Sequence, residues 1–242
     1  MKIFRSFLLL LMLLLSYVGG ADSTGLKTVV IDPGHGGSDK GGEGKDGLLE
    51  KDAALQISLS LKRMILNDMK LKVVMTSESD ADIPLERRVA LANKSKGDLL
   101  ISIHTGASYS EKSGGIWIYY LDYEEMRKEL ASGEQDNGNE TAGSENEEND
   151  LSIILKDMTH SDYASEGAKI AELIQKNLTE IISDQKITLK PMPALIMKDA
   201  DMPAIMIEVG NITNHEDAGR LRNREYINRI AGAIAKAVKE YY

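Results

Sequence analysis

Apolar residues along the chain fall into two patterns, short uninterrupted runs and longer stretches with helical spacing. The short aliphatic runs predict buried strands at 27–32, 71–76, 98–104, 115–121, 195–198 and 204–209. Apolar positions three and four residues apart predict helices over 50–68, 82–96, from 151 onward, and over 165–183, 215–221 and 225–242. Because strands alternate with helices, we expect a single α/β domain with a mixed, mostly parallel sheet of about six strands, flanked by helices on both faces.

The first 21 residues have the pattern of a secretory signal peptide. Lys2 and Arg5 give a positive start, an apolar run follows at 7–18, and small residues occupy 19–21. That run is shorter than the roughly 20 residues that a membrane-spanning helix needs, which argues against the alternative of a membrane anchor. We therefore predict removal of 1–21 on export and a mature domain over 22–242.

The acidic residues of the chain are concentrated in one insert, at about 122–160. Residues 121–150 contain eleven acidic and two basic residues, a net charge of −9 that equals the charge of the whole chain. Within it, 126–150 lacks an apolar face, so we expect a disordered loop there. The rest of the chain is near neutral and has no basic stripe with interleaved aromatics, so we expect no binding to nucleic acid.

The chain has no cysteine, so any protein-bound metal would be held by His, Asp or Glu. Two of its four histidines, His35 and His104, follow predicted strands, and the carboxyl ends of parallel strands meet at one edge of a sheet. Glu50 begins the next helix after the glycine-rich loop of His35. We interpret these three residues as a candidate His/His/carboxylate zinc site, which leaves one position for water. The alternatives are packing histidines and an ordinary acid in the first turn of a helix.

Glu208 lies in an apolar strand, where burying a carboxylate is unfavourable unless it has a role or a partner. It is our candidate for the general base and proton shuttle that a metal-dependent hydrolase needs. Pairing with Arg87 or Arg88 is the alternative. For Asp32 we favour a role in capping the loop or orienting a histidine over a role as a ligand.

Four segments in order resemble the landmarks of the zinc-dependent N-acetylmuramoyl-L-alanine amidases of the amidase-3 type. They are VVIDPGHGGSDKGG, LLEKDAALQISLSLKRMI, LERRVALANKSKGDLLISIH and MPAIMIEVGNITN. The resemblance covers about 27–242 apart from the acidic insert. It implies zinc bound by His35, Glu50 and His104, catalysis by Glu208, and hydrolysis of the amide that joins the lactyl group of N-acetylmuramic acid to L-alanine in peptidoglycan.

Two departures from that family lie beside the expected chemistry. Where the family has a small residue, then Asn, then Ala, this chain has Thr105, Gly106 and Ala107, and where the family has Phe it has Asn211. Such changes could alter specificity or lower the rate. They leave two alternative functions open, a weakened or inactive peptidoglycan-binding protein that kept its metal site and a zinc peptidase acting on another wall amide.

The resemblance also suggests regulation, because related division amidases carry a segment at the insert that blocks the active site until a partner removes it. Residues 151, 154, 155 and 158 form an apolar strip, and a carboxylate from 140–148 could occupy the open metal position. An exposed, variable loop is the alternative. We expect an exported monomer, periplasmic or secreted to the cell wall, that binds the stem peptide and glycan of peptidoglycan and no membrane after signal cleavage. We assign no role to His160, expected after a helix end, or to His215, expected at a helix start.

Overall fold

The computed structural model describes residues 25–44, 46–107, 114–133 and 147–242. The predicted signal peptide, 1–21, lies outside them. Among the described residues, no helix is long and apolar enough to cross a membrane.

A six-stranded mixed sheet organises the described part of the chain, in the order β2-β1-β3-β6-β4-β5. The strands β1, β2, β3 and β6 run parallel, while β4 pairs antiparallel with β6 and parallel with β5. The strands span Thr28–Pro33 (β1), Lys72–Met75 (β2), Leu99–Gly106 (β3), Ile116–Tyr120 (β4), Ile187–Pro191 (β5) and Ala204–Asn211 (β6). This architecture confirms the predicted fold class.

Helices cover both faces of the sheet. They span Glu50–Asp68 (α1), Leu85–Lys94 (α2), Tyr123–Gly133 (α3), Glu147–Ile181 (α4), Leu195–Lys198 (α5), His215–Arg222 (α6) and Arg224–Tyr241 (α7). The larger core cluster lies between the sheet and α1, α4 and α7, and a smaller one lies beneath α2 and α5. Side chains alternate along β1, where Val29 and Ile31 enter the larger cluster and Val30 the smaller one.

The same alternation places the candidate site on the side of the smaller cluster. On β3, Leu100 packs in that cluster, so Ser102 and His104, two and four residues on, leave the same face. On β6, Met206 packs there and Glu208 follows it. The carboxyl ends of β3 and β6 therefore present their polar side chains to one region of the sheet edge.

Several expected elements differ from the structure. The strand predicted at 195–198 is the one-turn helix α5, and the strand Ile187–Pro191 was not predicted. The expected loop over 126–150 is wrong for 126–133, which belong to α3, and for 147–150, which begin α4; 134–146 lie outside the described residues. His160 lies within α4 rather than after a helix end.

Candidate metal centre

His35 is carried by the loop after β1 in an unusual backbone conformation. Its φ is 61°, in the left-handed region that costs a non-glycine residue on the order of 1–2 kcal/mol. The preceding Gly34 lies so close to the neighbouring histidine that an added Cβ would be 2.4 Å from Cε1 of His104. Only glycine fits there, and the tight turn brings the two imidazoles together, with ring centroids 5.0 Å apart.

Glu50 completes the group from the first turn of α1. Its Oε1 lies 3.2 Å from Nε2 of His35 and 3.1 Å from Nδ1 of His104. These spacings match the roughly 3.3 Å between ligand atoms in a tetrahedron with bonds near 2.0 Å to zinc. The ligand atoms of all three residues lie within 4.8 Å of one another, so the structure contains a possible metal site at the predicted residues.

Backbone amides fix the Glu50 carboxylate in this position. The N–H of Thr105 donates to Oε1 at 3.0 Å, and the N–H of Gly42 donates to Oε2 at 2.8 Å. The carboxylate therefore joins the His35 loop, the end of β3 and the start of α1. These contacts indicate that Glu50 is a site residue and not only a first-turn acid that the helix dipole stabilises.

Electrostatics in the metal-free site couple the three side chains. Hydrogen bonding to Glu50 raises the pKa of His35 from 6.5 to about 9, against the opposing effect of burial. Burial acts to raise the pKa of Glu50, but the hydrogen bonds with His104 and His35 outweigh it and hold that pKa well below its usual range. Without a metal, the site is thus an ion pair of a carboxylate and an imidazolium.

Asp39 is a site residue that the sequence did not single out. Its Oδ2 lies 2.8 Å from Nδ1 of His35, the ring nitrogen opposite the one that faces Glu50. A carboxylate on the far nitrogen fixes the tautomer and orientation of a metal-binding histidine. Its place four residues after His35, in the same glycine-rich loop, is the only sequence signal that pointed to it.

Glu208 is held by a tyrosine and not by an arginine. Tyr119 on β4 donates its hydroxyl to Oε2 of Glu208 at 3.0 Å. The predicted alternative partner, Arg88, instead lies 3.1 Å from Asp32. Burial raises the pKa of Glu208, and the Tyr119 hydrogen bond partly offsets this. Burial raises the pKa of Tyr119, and the neighbouring Glu208 carboxylate raises it further.

Asp32 contacts no histidine ring, contrary to one of the roles expected of it. Its carboxylate accepts hydrogen bonds from Thr76 at 2.5 Å and Ser102 at 2.8 Å, and it pairs with Arg88. Arg88 links it to the loop after β1, because the same guanidinium binds the carbonyl of His35.

The sequence profile of N-acetylmuramoyl-L-alanine amidases matches residues 29–240, nearly the whole described chain. This chain belongs to the N-acetylmuramoyl-L-alanine amidase family. The family is one of hydrolases.

Amidases of known structure share the fold of this chain. It matches AmiC2 of Nostoc punctiforme with a TM-score of 0.69 at 27% identity, covering 89% of this chain and 96% of that one. It matches an amidase from Clostridium difficile 630 with the same score and identity, over 90% and 97% of the two chains.

Among curated relatives, AmiC of Escherichia coli O6:H1 is 29% identical over 88% of this chain and 52% of its own length. AmiA of Escherichia coli K12 is also 29% identical, over 91% of this chain and 78% of its own length. The chain therefore spans about half of that AmiC and nearly four fifths of AmiA.

The two departures from the family pattern have different surroundings in this amidase. A Cβ at Gly106 would lie 3.2 Å from the carbonyl oxygen of Gly210 and 3.5 Å from Oε2 of Glu208, so this position borders the candidate base. Asn211 is buried, and its Oδ1 accepts hydrogen bonds from the amide and hydroxyl of Thr213. Asn211 thus closes the turn after β6 through its bonds with Thr213.

The two remaining histidines do not belong to the possible metal cluster found among the described residues. His160 lies in α4 near the ring of Tyr163, with centroids 6.2 Å apart. His215 is the first residue of α6, following its N-cap Asn214, as predicted.

Proposed function

We propose that this protein is a zinc-dependent amidase that hydrolyses the bond between the lactyl group of N-acetylmuramic acid and L-alanine in peptidoglycan. The observation that carries the proposal is the grouping of His35, Glu50 and His104 ligand atoms within 4.8 Å, on the sheet face from which Glu208 also projects. The same ligand set could serve other amide hydrolases, so it does not identify the substrate by itself. Membership of the amidase family is what supports this choice of substrate.

The donor set fits zinc, since two imidazole nitrogens and one carboxylate oxygen are typical of catalytic zinc sites with a further open position. Bound zinc supplies Lewis acidity, which polarises the scissile carbonyl and lowers the pKa of water. His35, Glu50 and His104 would hold the ion, and the hydrogen bond between Asp39 and Nδ1 would fix the tautomer and orientation of the His35 ring.

Glu208 supplies the proton transfer in this proposal. Its carboxylate takes a proton from the attacking water and delivers it to the departing L-alanine nitrogen. Burial favours the protonated form, which helps the second step, and the Tyr119 hydroxyl keeps the carboxylate available for the first. The retained Glu208 also argues against the alternative of an inactive binding protein.

The test is digestion of purified peptidoglycan, with the products identified by mass spectrometry. We expect free stem peptides with an L-alanine amino terminus, lost on treatment with a chelator and restored by zinc. Glu208→Gln should bind zinc yet release on the order of 10²–10⁴-fold less peptide. The exposed Glu216→Gln is the matched control and should behave as wild type. Cleaved peptide cross-links or glycan bonds instead would point to another hydrolase.

Export and control of the enzyme form a separate part of the proposal. The charged and apolar start of the chain supports secretion to the periplasm or cell wall, testable by fractionation of cells that express the full chain. The acidic insert at about 122–160, part of which forms α3 and the start of α4, is our candidate target for an activator protein. Unchanged hydrolysis after deletion of 129–150, with and without wall-division proteins, would contradict this role.

A further inference from the structure

Arg88 is buried beneath the loop that carries His35, and all three nitrogens of its guanidinium donate hydrogen bonds. Nε donates to the carbonyl of Ile83 at 2.8 Å. Nη1 donates to Asp32 at 3.1 Å and also to the carbonyl of Pro33, while Nη2 donates to the carbonyl of His35 at 2.5 Å. The guanidinium therefore holds the backbone on both sides of Gly34, the point at which the loop turns.

The base of this arrangement is anchored in the sheet. Asp32 is the penultimate residue of β1 and accepts hydrogen bonds from Thr76, just beyond β2, and from Ser102 on β3. Both of its oxygens are thus fixed by neighbouring strands before Arg88 binds one of them. A buried ion pair supported by such hydrogen bonds holds the arginine in one place.

The arginine acts on a residue whose backbone needs support. His35 has a positive φ, which a non-glycine residue keeps only where the surrounding structure enforces it. Nη2 binds the carbonyl of His35 itself, which limits rotation of that peptide plane. Asp39 fixes the ring of His35 from its other end, so Arg88 and Asp39 control different torsions of the same residue.

We propose that Arg88 is a positioning residue for the metal centre: it locks the left-handed turn at His35 so that Nε2 points at Glu50 and the ion. The inference rests on the proposed metal site and extends it to a residue that contacts neither ion nor substrate. Lysine cannot replace it, because one ammonium group lacks the planar fork that reaches an acid and three carbonyls at once.

The test measures zinc affinity directly, by competition of the full chain with a chromophoric chelator, alongside thermal unfolding of the metal-free protein. Arg88→Lys should weaken zinc binding by about 10–100-fold, the usual effect of removing a group that orients a metal ligand. Arg87→Lys, its exposed neighbour on α2, is the matched control and should bind zinc as wild type does. The absorption spectrum of the Co²⁺-loaded protein should change with Arg88→Lys and should stay as in wild type with Arg87→Lys.

A second, milder variant protects the test if Arg88→Lys does not fold. Thr76→Val keeps the side-chain volume but removes one hydrogen bond that fixes Asp32. It should weaken zinc binding by several-fold. The inference would be overturned if the folded Arg88→Lys variant bound zinc with wild-type affinity and had an unchanged Co²⁺ spectrum. If only Thr76→Val folds, the same two results in that variant would overturn it. Absence of zinc binding by the wild-type protein would instead refute the metal site itself.

Discussion

His104 and Glu208 are register partners on the adjacent parallel strands β3 and β6. Partners in register project from the same face of a sheet, so a candidate ligand and the candidate base are placed side by side by strand pairing alone. A one-residue slip would turn one of them to the opposite face. The register also shifts just beyond this pair, between His104 and Gly106, where the ladder is irregular next to the site.

Tyr119→Phe should move the acidic limb of the pH–rate profile to higher pH. Glu208 must be deprotonated to accept a proton, so activity is lost as the pH falls through its pKa. Burial already raises that pKa, and the Tyr119 hydroxyl stabilises the charged form and lowers it. Removing the hydroxyl therefore raises the pKa further. The pH dependence of kcat/KM measures this.

Tyr120→Phe is the control for that experiment. Tyr120 packs against the larger core cluster, on the other face of the sheet from Tyr119. Its profile should coincide with that of wild type, and a Tyr119→Phe profile that also coincides would contradict the proposed role of the hydroxyl.

Zinc binding should release protons between pH 6.5 and about 9. In the metal-free protein the pKa of His35 is raised to about 9, so the ring is protonated in this range, whereas a ligand must be neutral. Apparent zinc affinity should therefore rise with pH and level off above about 9. Calorimetric titrations in buffers of different ionisation enthalpy count the protons released.

The same shift makes the metal-free protein sensitive to alkali. A raised pKa in the folded state contributes stability that is fully present below the unfolded value of 6.5 and is lost as the pH rises through about 9. The unfolding temperature of the metal-free wild-type protein should therefore fall as the pH rises from 6.5 to about 9. In His35→Ala this fall should be absent. His215→Ala should show the same fall in unfolding temperature as wild type. A fall of equal size in His35→Ala would show that another group is responsible.

Asp39→Asn should weaken zinc binding by roughly 10–100-fold, because the amide cannot replace the charged acceptor on Nδ1 of His35. Asp80→Asn is a suitable comparison, since Asp80 accepts a hydrogen bond from Gly37 of the same loop and pairs with Lys51 of α1. Equal affinities in the two variants would mean that Asp39 does not orient the ring.

Gly34→Ala should disrupt the metal site by contact alone. The new methyl would lie 2.4 Å from the His104 ring and would displace it, so zinc affinity should fall by on the order of tenfold or more. Gly219→Ala in α6 is the counterpart, because nothing lies within 4 Å of its added Cβ. That change should leave zinc binding intact and raise stability by roughly 0.5–1 kcal/mol. Calorimetry and thermal unfolding report both quantities.

The fold and the grouping of His35, Glu50 and His104 could be predicted because strong local patterns carry them. Parallel strands with apolar runs bring their carboxyl ends to one edge, so residues far apart in sequence meet there. The error at 195–198 has a physical cause, since a short apolar run fits a buried helical turn as well as a strand. The missed strand Ile187–Pro191 lies at the sheet edge and is only half buried, so its apolar alternation is weak.

The contacts that orient the site could not be predicted from the sequence. Tyr119 is 89 residues from Glu208, and Arg88 is 56 residues from Asp32. Such pairs depend on strand order and side-chain direction, and many tyrosines or arginines would have fitted the pattern equally well. Arg88 was one of two alternative partners for Glu208, and only the geometry assigns it to Asp32 and the His35 loop.

The most direct test of this account is an anomalous diffraction map of the zinc-loaded protein, collected on either side of the zinc absorption edge. One peak should appear at about 2.0–2.2 Å from a nitrogen of His35, a nitrogen of His104 and an oxygen of Glu50. A peak elsewhere, or contact with fewer than these three side chains, would contradict the proposed metal centre and the amidase mechanism built on it.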